Sequence, residues 1–204
     1  MEKSLSKNKK LALTGAFSAL IVVLGITRLG FISLSPTVSL TIIHIPVILV
    51  VMLAGLPGGL ACGTVFGIFS LIQAAMNPSG ALDPLFVNPL ISIVPRILFA
   101  LVTWFFWKLL NFIPHMPKTI SAAITSFTGS LLHTCFVIGM LYLFYNGKVS
   151  AAMGGLGYIS GLALLLPNAL IEAAAASVVC TAVIATITFS GKKHSKLSQE
   201  TGSK

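Results

Sequence analysis

The chain has 204 residues, 56% of them hydrophobic and only 8% charged, with a mean hydropathy of +1.00. Soluble domains carry roughly 25% charged residues, so a soluble enzyme, a nucleic-acid-binding domain and a disordered tail are all excluded. The net charge of +9 sits as four Lys and one Glu in residues 1–10, the same in 192–204, and Arg28, Arg96, Lys108, Lys118 and Lys148 against Asp83 and Glu172 between them; two basic ends around a nearly uncharged body describe a multi-spanning membrane protein.

A helix that crosses a bilayer takes about 20 apolar residues. After the basic segment 1–10, the first such run is 11–27. The polar, β-branched segment Gly30 to Ser39 separates it from a second span at 40–55. Gly55-Leu56-Pro57-Gly58-Gly59 reads as a tight turn, and a third span follows at 58–76. The loop Asn77 to Pro84 is rich in turn residues. A fourth span, 89–112, is closed by Pro114 and Pro117, and a fifth runs 119–145. A Gly-rich loop, 146–157, leads to a sixth that ends at Lys192-Lys193, before the basic tail 192–204. The expected fold is all-α: one membrane domain, 11–191, built as a bundle of six transmembrane helices.

The positive-inside rule orients it. With both termini cytoplasmic, the eight terminal Lys, Lys108 and Lys118 lie inside, and only Arg28 and Lys148 lie outside. The two inner turns are short. The three outer loops, 28–39, 77–88 and 146–157, are longer and rich in Gly, Pro, Ser and Asn, which marks the outer face as functional. Cys62, Cys135 and Cys180 lie inside apolar runs and read as small buried hydrophobes, not as a disulfide framework.

The polar residues of the body converge on the outer half. Counted at 1.5 Å per residue from the inner helix ends, Arg96 stands roughly 24 Å up, Glu172 roughly 30 Å and His133 roughly 21 Å. Asn168 is one turn above Glu172, and His44 opens the second span. Asn88, Ser92 and Arg96 follow i, i+4, i+8, with Asn88 an N-cap before Pro89. Asn168 and Glu172 are i, i+4. Ser70, Gln73 and Asn77 form a third stripe, and Thr125, Gly129 and His133 a fourth. Polar groups facing lipid are costly, so these stripes point inward and make a polar patch under the outer loops, the composition of a small-molecule pocket.

Each residue also has a plainer reading. Arg96 and Glu172 either neutralise one another or leave Arg96 to a ligand anion. Asn168 either mends the backbone at Pro167 or meets ligand. His133 serves helix packing or ligand, and His44 is open between the two. Asp83, between prolines, is a turn-former or a ligand contact. Phe66, Phe69, Phe86, Tyr145 and Tyr158 read as packing or interfacial belt residues before a stacking cage. On the first helix Ala12 and Ala16 lie four apart, with Gly15 and Ala19 beside them, and small residues so spaced let another helix approach. No P-loop, HExxH, GxSxG or paired-carboxylate motif occurs. The two halves show no visible internal symmetry of the secondary-transporter kind. No cofactor, metal or enzymatic activity is expected.

These features together resemble the substrate-binding (S) component of an energy-coupling factor (ECF) vitamin transporter. They are the length, the six spans, Ala12-xxx-Ala16, the run Thr41-Ile42-Ile43-His44-Ile45-Pro46-Val47, the segment Gly63 to Ser70, Asn77-Pro78, Pro95-Arg96, and Pro167-Asn168-Ala169-Leu170-Ile171-Glu172. The likeness covers residues 8–192, and the His-Ile-Pro run with the Pro-Arg pair is most similar to pantothenate-type members. The resemblance implies a cell-membrane protein that captures a vitamin from outside, docks through its first helix on a membrane coupling subunit driven by two cytoplasmic ATPases, and topples to release its cargo inside. It implies docking roles for Ala12 and Ala16, and Arg96 as anchor for a carboxylate. Pantothenate offers one carboxylate, an amide and two hydroxyls, which suits Arg96 with Asn88, His44 and Asn168; Glu172, His133, Asn77 and Ser92 complete the expected site. The same role for pyridoxine or riboflavin, an integral-membrane enzyme and a self-contained permease are the alternatives.

Overall fold

The chain of the computed structural model runs α1 (Lys7–Ile26), β1 (Phe31–Ser33), β2 (Ser39–Thr41), α2 (His44–Ala54), α3 (Leu56–Met76), a 3-10 helix (Asp83–Val87), α4 (Pro89–Ser92), α5 (Val94–Phe112), α6 (Lys118–Ala152) and α7 (Tyr158–Thr201). It describes residues 5–27, 29–33, 39–78 and 82–201, with the side chains of 31–33, 39–40 and 191–201 excepted. Arg28 and parts of two expected outer loops, 34–38 and 79–81, lie outside the described residues, as do the side chains of Lys192 and Lys193.

Five segments are long and apolar enough to cross a membrane: α1, α3, the α4–α5 pair, α6 and α7. The second expected span is different. Residues 39–41 pair antiparallel with 31–33, Thr41 facing Phe31, and the helix that follows has only 11 residues. That is about 16 Å of helix, half the apolar thickness of a bilayer. A short apolar run does not reveal whether it is strand or helix, and here Ser39, Leu40 and Thr41 take the ladder.

The α2 helix is the centre of the bundle. It packs against α1, α3, α5, α6 and α7, and all of its residues but Leu53 are buried, as an all-apolar helix requires. Gly55, at φ 86°, turns the chain directly into α3. In α3, Gly63 and Gly67 form a ridge against which the α4–α5 backbone lies. A Cβ on Gly63 would sit 2.7 Å from the Arg96 carbonyl oxygen, and one on Gly67 2.7 Å from Ile93 Cα. This close approach seats Arg96 beside Phe66.

Two further expectations are corrected. The fourth span is not one continuous helix: it breaks at Ile93, where Pro95 supplies no N–H to the preceding turn. The expected 146–157 loop shrinks to 153–157, because α6 kinks at Tyr145 (φ −135°, ψ 35°) and then resumes to Ala152. The backbone of α7 passes position 192 without interruption.

Two apolar cores stack along the bundle. One contains Ile48, Val51, Cys62, Phe66, Phe99, Ala122, Ala176 and Cys180; the other contains Ile91, Val137, Ile138, Leu141 and Tyr142, with Leu165 against it. On each later helix a polar residue falls between them: Arg96 between Ile91 and Phe99, His133 between Ala122 and Val137, and Asn168 with Glu172 between Leu165 and Ala176. Large apolar side chains such as Leu101, Phe105, Leu109, Ile171 and Val178 face outward, the arrangement of a protein whose solvent is lipid.

Candidate functional site

Arg96, His133, His44 and Glu172 are all at least nine-tenths buried within this polar layer. Arg96 lies against two aromatic rings, its Cζ 5.2 Å from the Phe66 centroid and 5.1 Å from that of Phe86. Phe66 also continues into a stack. Phe66 and His133 are 5.6 Å apart at 26°, His133 and His44 5.4 Å apart at 8°, and Phe99 closes edge-on against both imidazoles. His44 Nε2 shares a hydrogen bond with Ser130 Oγ at 2.9 Å. Phe66 and Phe86 pack in the apolar cores, as expected, and in addition lie against a buried guanidinium, contacts worth about 0.5–2 kcal/mol each.

Among the described residues, Arg96 has no ion pair. Its Nη1 donates to the Ile91 carbonyl at 2.8 Å, and its Nε is buried with no hydrogen-bond partner. Glu172 is held elsewhere: its Oε1 accepts from the Thr41 backbone N–H and, at 3.3 Å, from Asn168 Nδ2. The mutual neutralisation of Arg96 and Glu172 is therefore not what the bundle builds. His133 has both ring nitrogens buried without a partner, and His44 Nδ1, Thr103 Oγ1 and Thr125 Oγ1 share that condition. Buried polar atoms are normally satisfied, so the unpaired nitrogens of Arg96, His133 and His44, gathered around Phe66 and Phe99, have the character of a site that receives a polar molecule.

The remaining expected residues divide. Asn168 is half-buried beside Glu172. Ser92 is buried, but its hydroxyl donates to the Phe86 carbonyl, holding the 3-10 helix against α4 and so placing the Phe86 ring. Asn88 is the N-cap of α4, accepting from Leu90 N–H at 3.0 Å, with its amide 3.5 Å from Tyr145 OH. Asn77 is the exposed C-cap of α3, whereas Ser70 of the same stripe is buried. Thr125, Gly129 and His133 do share one buried face, with Thr103 against Gly129. Asp83 opens the 3-10 helix. Ala12, Gly15, Ala16 and Ala19 are all exposed, and nothing lies within 4 Å of a Cβ built on Gly15, so this small-residue row does not pack the bundle itself.

The profile of a family described as "ECF transporter, substrate-specific component" matches residues 9–184. The chain belongs to that family. As an ECF substrate-specific component it is a multi-pass protein of the cell membrane and part of a transporter, and the matched region contains every candidate from Ala12 to Glu172. It is similar, at 26% identity over 197 residues, to the "Pantothenic acid transporter PanT" of Lactococcus lactis subsp. cremoris (strain MG1363); the alignment covers 90% of this chain and 95% of that one. Sequence reasoning about this ECF component passed over Thr41 and Phe99, whose contributions are a backbone N–H and a ring edge. The Gly63-xxx-Gly67 spacing was the available signal for the approach that seats Arg96.

Proposed function

We propose that this ECF component is the high-affinity binding subunit for pantothenate, taken from the extracellular side by the polar layer of α2, α5, α6 and α7. The observation that carries the reading is Arg96: a buried guanidinium lying against Phe66 and Phe86, with no carboxylate partner among the described residues. Leaving a charge unneutralised in an apolar bundle is expensive; a ligand carboxylate would offset that cost through charge-assisted hydrogen bonds. The unpartnered nitrogens of His133 and His44 suit the amide and hydroxyls of the same molecule. Asn168 and Glu172 close the side next to the hairpin, with Asn88 and Ser92 supporting the Phe86 wall and Asn77 at the rim. Similarity to PanT points to the same ligand.

Both termini are cytoplasmic in this reading, and the chain crosses six times, the extended residues ahead of α2 completing the crossing that 11 helical residues begin. The hairpin makes this tolerable, because its ladder and the Thr41–Glu172 bond occupy backbone groups that lipid would leave bare. The exposed Ala12–Ala16 face of α1 docks on a membrane coupling subunit driven by two cytoplasmic ATPases. Calorimetric titration of the purified chain tests the ligand. Pantothenate binds, whereas the analogue with its carboxylate reduced to an alcohol, pyridoxine and riboflavin bind far more weakly. Equal binding of the alcohol overturns the carboxylate reading, and uptake by the chain alone in liposomes overturns the subunit reading.

A further inference from the structure

In an unbroken helix the N–H of residue 95 would bond the carbonyl of Ile91, four positions earlier. Pro95 has no N–H to give, and the α4–α5 joint lies there. The carbonyl is not left bare: Arg96, the next residue, turns its own Nη1 back onto it at 2.8 Å. A guanidinium offers two forks to a planar acceptor, one end-on from its two terminal nitrogens and one side-on from Nε and Nη2. Holding Ile91 occupies a nitrogen of the end-on fork. The guanidinium carbon also lies over the Phe66 and Phe86 rings, 5.2 and 5.1 Å from their centroids. Nε, buried and without a partner, belongs to the fork that remains.

We infer that Arg96 receives a monocarboxylate side-on, through Nε and Nη2, while Nη1 stays on the Ile91 carbonyl that Pro95 leaves without a donor. Pro95 is thus a positioning residue for the anion. Its missing N–H fixes which edge of Arg96 faces the ligand and favours arginine, whose planar group can hold the Ile91 carbonyl and still present a fork to the anion. The substrate class follows. Arg96 is the only buried Lys or Arg among the described residues, so its single charge and one open fork suit a monoanion such as a monocarboxylate over a dianion. This rests on the reading of Arg96 as the ligand anchor.

The test is a double-mutant cycle on the full chain, read as pantothenate affinity with the alcohol analogue as control. A lysine ammonium has three donors but no planar fork, so while it holds Ile91 it cannot grip the carboxylate through two parallel bonds, and R96K alone weakens pantothenate by roughly 30-fold. In a P95A background the alanine N–H closes the helical bond on Ile91, the ammonium is released to the anion, and the loss caused by R96K is smaller by roughly tenfold. The alcohol analogue shows no such coupling. Equal losses in the two backgrounds overturn the inference while leaving the anchor in place. Unchanged affinity in R96A overturns the anchor itself, and with it the proposed function. If thermal melting shows that P95A does not fold, P95S restores the same N–H and carries the cycle.

Discussion

Glu172 accepts the backbone N–H of Thr41, so a carboxylate on the last helix holds the end of a β-hairpin 131 positions upstream. His44, the stacked imidazole of the site, begins α2 three residues later. The bond therefore fixes both the hairpin and the entry of α2. E172A should raise the pantothenate dissociation rate about tenfold, because a backbone donor loses its charged acceptor. E172Q should lose less, since an amide oxygen still accepts from Thr41. Stopped-flow kinetics on both variants decides, and equal losses would assign the effect to the charge and not to the latch.

Arg96 contributes the charge. R96A should cost at least about 2 kcal/mol of pantothenate binding if the contact is desolvated, and almost nothing for the alcohol analogue. Isothermal titration with the two ligands measures the difference directly.

Packing under Arg96 should be intolerant of one added carbon. A methyl on Gly63 would meet the Arg96 carbonyl oxygen at 2.7 Å, a backbone atom that cannot swing away. G63A should therefore destabilise by about 1–3 kcal/mol and lower the melting midpoint in detergent. G15A on α1, where the space is open, should be neutral or stabilising by up to about 1 kcal/mol through helix propensity.

The small-residue face of α1 is open, so bulk there should leave the bundle intact. A16W should bind pantothenate like the unaltered chain and melt at the same temperature, yet lose uptake in cells that carry the coupling module. Binding and uptake lost together would mean that Ala16 packs its own bundle.

Much of the polar layer was legible before any coordinates. Arg96, His133, His44, Asn168 and Glu172 stand out because a bilayer tolerates few polar residues and those it tolerates must turn inward. The break at Ile93 was less legible. Pro95 advertises it, yet i, i+4, i+8 spacing does not tell which of Asn88, Ser92 and Arg96 is spent on local bonds. Their true uses are local: Asn88 caps, Ser92 bonds the Phe86 carbonyl, and only Arg96 presents an unpartnered nitrogen to the layer.

Amino-acid order alone settled the long apolar helices and the basic ends, because crossing a slab of fixed thickness is a condition on consecutive residues. Tertiary contact decided that residues 39–41 are strand, that α2 is short and central, and that Phe66 and Phe86 lie against Arg96. Those outcomes depend on which distant segment comes within bonding reach, and no local run of side chains encodes that distance.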